Sequence, residues 1–497
     1  MSLQSKILRG SALNLVDHVA RVASMLVVTP SMVALLGLER YGLWLVLSAA
    51  ISFLALLDGG ITLSGTRYLA RAIGAGDAAM ATRVVGTLRW LYRRIGILCL
   101  TTTALLALAV PWLVRAPQWQ ATGRMVLLAL GVGMSLRFFL RIHLVVLKSH
   151  LRYDLLVAAS LAKTMVQTGL ILWLLTKGHG LVTLALAQIA SDVLDQLLVT
   201  LFSRRTLRET PGKCCRELLP EILRYSGLAF LNTTGQHLRS RIDPFVLSAF
   251  VGIASVPVYN MGLRLVTLFF DVVNALLGGT LLAGFSQVEG RDGLDGVRAK
   301  FMLSLGFSIP LALFGATGLA VVGPDFLVLW LGPEFAESGR VLRWLVLPYT
   351  LWLMQFPVES LFLSLNRHQV ISRLIFGAGL FNASLSALLA WQIGFYGVIW
   401  ATFTDMLLFY GLAIPWHASR VMKMPLGSYY ALIARMVLKS ALPLGLLGLS
   451  TLTWLKPEWP RVLGAGAVIA TGFATFAWLG LLPAELRARL SRGRPSP

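Results

Sequence analysis

Apolar stretches about 20 residues long recur along almost the whole chain and constrain its fold more than any other feature. A helix of that length crosses the hydrocarbon core of a bilayer, where each backbone N–H and C=O must be satisfied internally. Of the 497 residues, 57% are hydrophobic and 13% are charged, whereas soluble proteins carry about 25% charged residues. The sequence therefore predicts an all-α polytopic membrane protein.

The apolar stretches predict about 14 transmembrane helices. The first stretch contains Asp17, His18 and Arg21 and lacks a small-residue cleavage site, so we interpret it as an uncleaved span and not as a signal peptide. The predicted spans are 11–36, 42–69, 95–114, 125–147, 154–176, 180–202, 225–250, 255–285, 301–322, 342–364, 371–393, 396–416, 432–455 and 461–482.

The distribution of basic residues predicts the orientation of these spans. With the N-terminus in the cytoplasm, about 27 of the 44 lysines and arginines fall in inner segments and about 8 in outer ones. The inner clusters are Arg67 to Arg94, Arg204 to Arg224, Arg291 to Lys300, and Arg487 to Arg494. Since basic loops stay on the cytoplasmic side, the net charge of +22 reflects topology and argues against nucleic-acid binding.

Several weak sequence matches in one register predict an internal duplication. Asn14 to Arg21 resembles Asn232 to Arg239, and the segment around Arg124 resembles the one around Arg340. The predicted domains are an N-terminal lobe of six spans at 1–202, a basic cytoplasmic linker at 203–224, a pseudo-symmetric C-terminal lobe of six spans at 225–416, and two further spans with a basic cytoplasmic tail at 417–497. Parallel repeats of this kind are typical of transporters that work by alternating access.

Polar side chains form one stripe along each of three predicted spans, the first, the seventh and the eighth. Helical spacing puts the members of each stripe on one face of its helix. Charges inside a membrane are costly, so we expect these faces to line a central cavity. The stripe residues are Asn14, Asp17, His18 and Arg21 in the first span, Asn232, Gln236, Arg239 and Asp243 in the seventh, and Asn260, Arg264, Asp271 and Asn274 in the eighth.

Four arginines are the cationic candidates for lining this cavity: Arg21, Arg239, Arg264 and Arg241. Arg21 and Arg239 lie near the middle of their spans at matching places in the repeat, whereas Arg241 lies two residues off its stripe. The alternative is internal pairing of neighbours four residues apart, which would make these charges part of the helix packing only.

A second polar group lies in spans four to six, and for it we favour structural pairing. Its members are Arg137, Arg141, Lys163, Asp192 and Asp195, and Lys163 is placed to meet either aspartate. Three isolated intramembrane acids, each able to titrate during ion coupling or to cap a helix, are Asp58, Glu359 and Asp405.

The sequence predicts no metal site, no cofactor and no catalytic centre. His237 has no second histidine or cysteine at ligand spacing. A phosphate-binding loop is also missing, because Leu207 stands where its first glycine should precede Gly212 and Lys213. We therefore predict a protein that is not an enzyme and that does not hydrolyse ATP.

The first predicted hairpin carries the most specific signature. Residues 38–77 read LERYGLWLVLSAAISFLALLDGGITLSGTRYLARAIGAGD, with ERYGLW at the outer turn and LLDGG within the second span. This segment resembles the polysaccharide-transporter family, the O-antigen and exopolysaccharide flippases of the multidrug/oligosaccharidyl-lipid/polysaccharide exporter superfamily. The segment VPVYNMGLRL (Val256 to Leu265) is similar to the second-lobe turn of that family.

The resemblance implies two helical lobes around a central cavity, and a function in the bacterial inner membrane. That function is to move a polyprenyl-diphosphate-linked oligosaccharide from the inner to the outer leaflet, for O-antigen, capsule or exopolysaccharide synthesis. The implied partners are the lipid-linked glycan, membrane lipid, a coupling H+ or Na+, and polysaccharide polymerase machinery. Arginine suits the diphosphate, because its planar guanidinium donates paired hydrogen bonds to phosphate oxygens.

Two other functions fit parts of the sequence. A cation-coupled multidrug antiporter of the same fold should present an acidic cavity, which Asp17, Asp243 and Asp271 favour. Arg21, Arg239 and Arg264 argue against it. A membrane polysaccharide polymerase or ligase normally needs a large outer loop, and no predicted outer loop exceeds about 20 residues.

The predicted orientation is testable at the C-terminus. A reporter that is active only outside the cytoplasm should give no signal when it is fused after Pro497, because that residue follows an even number of spans. The same reporter fused after Gly178, in a predicted outer loop, is the positive control. A strong signal from the Pro497 fusion would contradict both the topology and the repeat.

Overall fold

Helices form every regular element of the computed structural model within the residues that it describes, which are 3–114, 116–206, 212–452 and 458–476. The helices are α1 (Leu3–Leu54), α2 (Ile61–Gly74), α3 (Ala78–Leu108), α4 (Val110–Leu113), α5 (Pro117–Phe139), α6 (Arg141–Ser149), α7 (Tyr153–Thr176), α8 (Leu181–Thr206), α9 (Leu218–Arg241), α10 (Asp243–Phe250), α11 (Ser255–Leu331), α12 (Ala336–Met354), α13 (Phe356–Ser364), α14 (His368–Ile393), α15 (Phe395–Met406), α16 (Ile414–Val421), α17 (Leu426–Leu452) and α18 (Trp459–Phe476). The predicted all-α polytopic class is confirmed. The predicted basic tail and the end of the last predicted span, at 477–497, lie outside the described residues.

Nine helical stretches in the described part of the chain are long and apolar enough to cross a membrane. The longest, Leu13–Gly74, has 62 residues, which is enough for two crossings at about 20 residues each. Within α1, Gly37 adopts φ 77° and ψ 168°, so it separates two helical segments between the first and second predicted spans. Gly293 (φ 63°) divides α11 in the same way, between the eighth and ninth predicted spans.

Large apolar side chains cover much of the helix surface. Trp112, Met165 and Leu438 are 78%, 74% and 74% exposed, and they are three of many. Apolar patches on this scale are not tolerated on a soluble monomer. The exposed surface therefore fits a protein whose solvent is lipid, and the chain is a multi-pass membrane protein.

The chain divides into two compact units, Met1–Pro257 and Val258–Pro497. The first unit includes α9, which begins within the predicted linker, and α10. Ser226 of α9 hydrogen-bonds Ser64 of α2 at 2.9 Å. The core of this unit joins residues of α2, α3, α5 and α6 to Leu218 and Ile222 of α9. The predicted lobes at 1–202 and 225–416 rest on the sequence repeat and stay a prediction.

Four predicted spans of the first unit, the second, third, fourth and seventh, are interrupted helices and not the continuous ones that the sequence predicted. In the second span a 3-10 turn, Ala55–Asp58, leads to two left-handed glycines, Gly59 (φ 56°) and Gly60 (φ 80°), before α2 begins. In the fourth span, α5 and α6 are separated by Leu140, which has φ −100° and ψ 0°. At such breaks, polar groups of neighbouring residues and helices hydrogen-bond the backbone N–H and C=O groups that the helix leaves unpaired.

A matching break interrupts a helix of the second unit. Gln355 (φ −88°, ψ 6°) separates α12 from α13, within one residue of the position that the predicted repeat aligns with Leu140. Tyr429 of α17 donates a 2.5 Å hydrogen bond to the Gln355 Oε1 atom. The last two helices pack on α11 through Phe314, Leu444 and Ile469.

Gly59 and Gly60, the two glycines of the second-span break, both have positive φ but differ in how closely other atoms surround them. Alanine variants at the two positions therefore form a matched pair. A Cβ atom at Gly60 would lie 2.9 Å from the Ala229 Cβ, whereas one at Gly59 would have its nearest neighbour 4.0 Å away. Alanine at either position costs about 1–2 kcal/mol in the left-handed conformation. We expect Gly60→Ala to cost about 1–3 kcal/mol more, through overpacking against α9. Chemical unfolding in detergent measures the difference, and equal losses would contradict the packing of α2 on α9.

Candidate substrate-binding site

A polar cavity of about 640 Å³ lies within the first unit. Its walls come from both segments of α1 and from α5, α6, α7 and α8. We call it the N-unit cavity. Among the described residues, its lining contains four cations, Arg21, Arg137, Arg141 and Lys163, and one acid, Asp195.

Each of these cations has an acidic neighbour. Arg21 forms an ion pair with Asp17, four residues earlier on α1. The Lys163 Nζ atom of α7 lies 2.5 Å from the Asp192 Oδ1 atom of α8, and an Arg137 Nη1 atom lies 3.9 Å from the same oxygen. Since a lone charge in a membrane is very costly, these pairs explain how the cations are tolerated there.

Arg141 lies where the interrupted second span and the interrupted fourth span contact each other. Its Nε atom donates to the Thr62 Oγ1 atom at 3.2 Å and lies 3.9 Å from the Asp58 Oδ1 atom. Asp58 in turn accepts from the Thr62 hydroxyl at 2.6 Å and from the Thr62 N–H at 3.2 Å. Asp58 therefore makes a helix-capping contact with the first turn of α2, and its role in ion coupling stays a prediction.

The cations reach further into the cavity than their acidic partners. The exposed side-chain fractions are 54% for Arg21, 33% for Arg137, 29% for Arg141 and 18% for Lys163, against 9% for Asp17, 16% for Asp58 and 10% for Asp192. None of these three acids belongs to the cavity lining. The acids thus lie behind the cations, and the face that a ligand would meet is mainly positive.

Neutral polar and aromatic groups complete the lining. Gln167 of α7 donates a 2.5 Å hydrogen bond to Gln188 of α8. Tyr41 and Trp44, from the second segment of α1, contribute aromatic rings. Amides can bind sugar hydroxyls and aromatic rings offer flat apolar faces, so the cavity combines anion-binding and glycan-binding chemistry.

The structure distributes the predicted stripe residues over both units. Asp17 is buried, and Arg21 lines the N-unit cavity, whereas Asn14 is exposed and His18 is half-buried. On α9, the Gln236 side-chain amide donates to the Asn232 Oδ1 atom at 2.8 Å. Of the other members, Arg239 and Asp243 are buried, Arg241 and Asn274 are exposed, and Asn260, Arg264 and Asp271 are half-buried.

The predicted arginines differ in their relation to this cavity. Arg21 belongs to its lining, and Arg239, Arg241 and Arg264 do not. Arg239 is 6% exposed, near the end of α9, and Arg264 lies on α11 in the second unit. Their contact with substrate stays a prediction. Glu359 is exposed on α13, and Asp405 is fully buried on α15.

Arg137, Arg141 and Lys163 are the cavity residues that sequence reasoning placed in a merely structural role. The expected pairing of Lys163 with Asp192 is present, but the same lysine also lines the cavity. Pairing and ligand binding are compatible here, because a guanidinium or ammonium group has several N–H donors. The signal available in the sequence was three cations on neighbouring spans. Among the described residues, no three His, Cys, Asp or Glu side chains are placed to hold a metal ion.

The fold is similar to those of solved membrane transporters. An inward-facing multidrug resistance MATE family transporter of the MOP superfamily has 16% identity and a TM-score of 0.69, over 82% of this chain and 99% of its own. The lipid II flippase MurJ, in an inward closed conformation, has 12% identity and a TM-score of 0.73, over 95% and 98%. A MOP superfamily transporter from Pyrococcus furiosus, with a binding pocket of reverse polarity, has 16% identity and a TM-score of 0.58, over 85% and 96%.

These likenesses define the fold, which is the one seen in solved transporters such as a MATE family protein of the MOP superfamily and MurJ. Residues 76–339, more than half of the chain, match the family of polysaccharide biosynthesis proteins, and the chain belongs to that family. The family resemblance seen in the first hairpin is confirmed. No curated protein sequence matches the chain.

Two neighbouring acids of α8 should differ in their effect on stability. Asp192→Asn leaves Lys163 and Arg137 without their ion-pair partner, and an unmatched charged group costs about 1–3 kcal/mol. Asp195 lines the cavity, where water can replace its contacts. The free energy of unfolding of Asp195→Asn should therefore stay close to that of the wild-type protein. Chemical unfolding of both variants in the same detergent compares them. A larger loss for Asp195→Asn would show that the assigned pairing is wrong.

Proposed function

We propose that this protein is a flippase that moves a polyprenyl-diphosphate-linked oligosaccharide from the inner to the outer leaflet by alternating access. The observation that carries the proposal is the N-unit cavity, whose four cations face inward while three of the neighbouring acids lie behind them. A diphosphate entering a membrane loses its water, and charge-assisted hydrogen bonds from arginine and lysine compensate for that loss. Membership of the polysaccharide biosynthesis family supports the same substrate class.

The same charge distribution separates this function from drug efflux. A cationic drug needs exposed carboxylates, and Asp195 is the one acid in the cavity lining. The neutral amides and the aromatic rings of the lining suit the sugar part of the substrate. The multidrug antiporter therefore remains the second candidate, supported by the MATE-like fold alone. A polysaccharide polymerase or ligase has less support, since the solved structures of similar fold are transporters.

We infer that an H+ or Na+ gradient drives transport, with Asp58, Glu359 and Asp405 as the proposed coupling acids. Asp405 has the most enclosed surroundings, because it is fully buried beside other buried polar groups of the α14–α15 hairpin. Counting from Gly394 at the turn, Asp405 and Asn382 lie at similar heights on the two helices, as do Thr402 and Ser386. Polar groups at successive levels of a membrane hairpin are typical of an ion pathway.

The proposed setting is the bacterial inner membrane, with both chain ends in the cytoplasm. There the substrate would come from cytoplasmic glycosyl transfer and pass to polysaccharide polymerase machinery on the outer side, for O-antigen, capsule or lipopolysaccharide assembly. The excess of lysine and arginine in alternate loops supports this orientation.

Lys163 gives the sharpest test of the diphosphate site. Lys163→Gln should weaken binding of farnesyl diphosphate about ten- to a hundredfold, because hydrogen bonds to charged groups contribute about 1.5–3 kcal/mol. Calorimetry on the purified protein in lipid nanodiscs measures this affinity. Lys177→Gln, at the exposed end of the same helix, should bind like the wild-type protein.

A double variant separates binding from packing. Lys163→Gln with Asp192→Asn removes the ion pair together and leaves no unmatched acid. It should keep the fold with some loss of stability, because Arg137 also loses its partner, and it should still bind diphosphate weakly. Normal affinity in this variant would show that Lys163 has only a structural role. If the wild-type protein instead binds tetraphenylphosphonium and not farnesyl diphosphate, the antiporter function is favoured. The corresponding pair on α1, Asp17→Asn with Arg21→Gln, tests Arg21 in the same way.

A further inference from the structure

The break in the second span lies directly behind one cation of the N-unit cavity. The 3-10 turn ends at Asp58, and Gly59 and Gly60 follow with positive φ before α2 begins at Ile61. Glycine adopts these angles without strain, so the sequence places a bend inside a predicted span. Hinges of moving proteins are a few residues of this kind that absorb a change in backbone angles. Gly59 and Gly60 are therefore the residues of the second span best suited to act as a hinge.

A chain of hydrogen bonds with a defined direction joins this break to Arg141. The Thr62 hydroxyl has one proton, and it donates that proton to the Asp58 carboxylate at 2.6 Å. The Tyr92 hydroxyl, 3.0 Å from the Thr62 Oγ1 atom, must therefore be the donor in that contact. Arg141 also donates to Thr62, from its Nε atom at 3.2 Å. Tyr92 is fully buried, so this network is shielded on the side away from the cavity.

Arg141 faces both the cavity and the break. It is the first residue of α6, directly after the interruption of the fourth span at Leu140. Its side chain lines the N-unit cavity, while its Nε atom contacts the residue whose N–H is capped by Asp58. Any ligand that moves the guanidinium therefore acts on the cap of α2.

We propose that Asp58 and Thr62 are positioning residues that hold Arg141 for an anionic group of the substrate and transmit its binding to the hinge at Gly59 and Gly60. The proposal rests on the proposed function, since it takes the anion to be a phosphate of the lipid diphosphate. A phosphate in the cavity draws the guanidinium toward itself and away from the Thr62 hydroxyl. Because that hydroxyl and the Asp58 carboxylate together hold the start of α2, α2 is then free to turn relative to the segment before the break.

Thr62→Val tests the coupling without changing any charge. Farnesyl diphosphate is the probe, and spin labels at Leu35 of α1 and Ala75 after α2, both exposed, report the distance across the hinge. The labelled protein lacks its three native cysteines, Cys99, Cys214 and Cys215. In the wild-type background the probe should shift the distance distribution. In Thr62→Val, binding should weaken by less than about tenfold, because Arg141 remains, but the shift should disappear.

Two further variants control for a simple loss of structure. Thr66→Val makes the same substitution one turn later on α2, where the hydroxyl bonds only the Thr62 carbonyl at 2.7 Å. This variant should bind the probe with wild-type affinity, and its distance distribution should shift as it does in the wild-type background. Thr62→Ser keeps the hydroxyl and should restore the shift. Arg141→Gln should lose at least about tenfold in affinity, since it removes a charged donor.

The outcomes separate this inference from the proposed function. A wild-type protein that does not bind farnesyl diphosphate overturns the proposed function, and the coupling with it. Binding without any distance shift overturns the coupling alone, and so does a shift that persists in Thr62→Val. Loss of the shift in both Thr62→Val and Thr66→Val would show that α2 responds to packing and not to the hydrogen bond.

Discussion

The pairing of charges inside the membrane is the constraint on which the rest of the first unit depends. Four cations lie on spans that lipid surrounds, and each is tolerated because an acid lies close to it. The pairs are unequal, because the acids are deeper and the cations reach the cavity. This arrangement keeps the net charge of the bundle low and still presents positive groups to a ligand. The same contacts therefore serve stability and recognition.

Interrupted helices follow from that constraint. A regular span satisfies its own backbone and leaves only side chains to face a cavity, whereas a break exposes N–H and C=O groups that need partners. At the second span Asp58 supplies such a partner, and the two left-handed glycines after it let the chain resume as α2. The fourth span breaks at Leu140, immediately before Arg141. Polar contacts thus join the interruptions of the second and fourth spans.

The comparison structures carry different substrates on one fold. A multidrug transporter and a lipid II flippase are both similar to this chain at low identity, so the fold does not choose between drug and lipid. The choice depends on the charges that line the cavity. In this protein those charges are mainly positive, and the family to which the chain belongs is named for polysaccharide biosynthesis.

The sequence by itself determined the class of this protein. A long apolar stretch crosses a membrane as a helix, because a helix satisfies every backbone N–H and C=O within the segment. The first-hairpin signature specified the family. Local pairing, which the sequence left as an alternative to cavity lining, is present for Asp17 and Arg21, four residues apart on one helix. Helical geometry alone fixes such contacts, so no tertiary information was needed.

The tertiary structure decided which charges share a cavity. Lys163 and Asp192 lie on different helices, and spacing along the chain does not reveal whether a paired lysine faces a cavity or is enclosed in packing. The break at Asp58 was also not predicted, because a DGG sequence inside an apolar stretch fits a continuous helix as a pattern. It becomes an interruption because Gly60 packs against α9 with no room for a side chain, and because Thr62 and Arg141 supply the polar contacts. Arg141 and α9 come from distant parts of the chain, and only the packing of the helices brings them to the break.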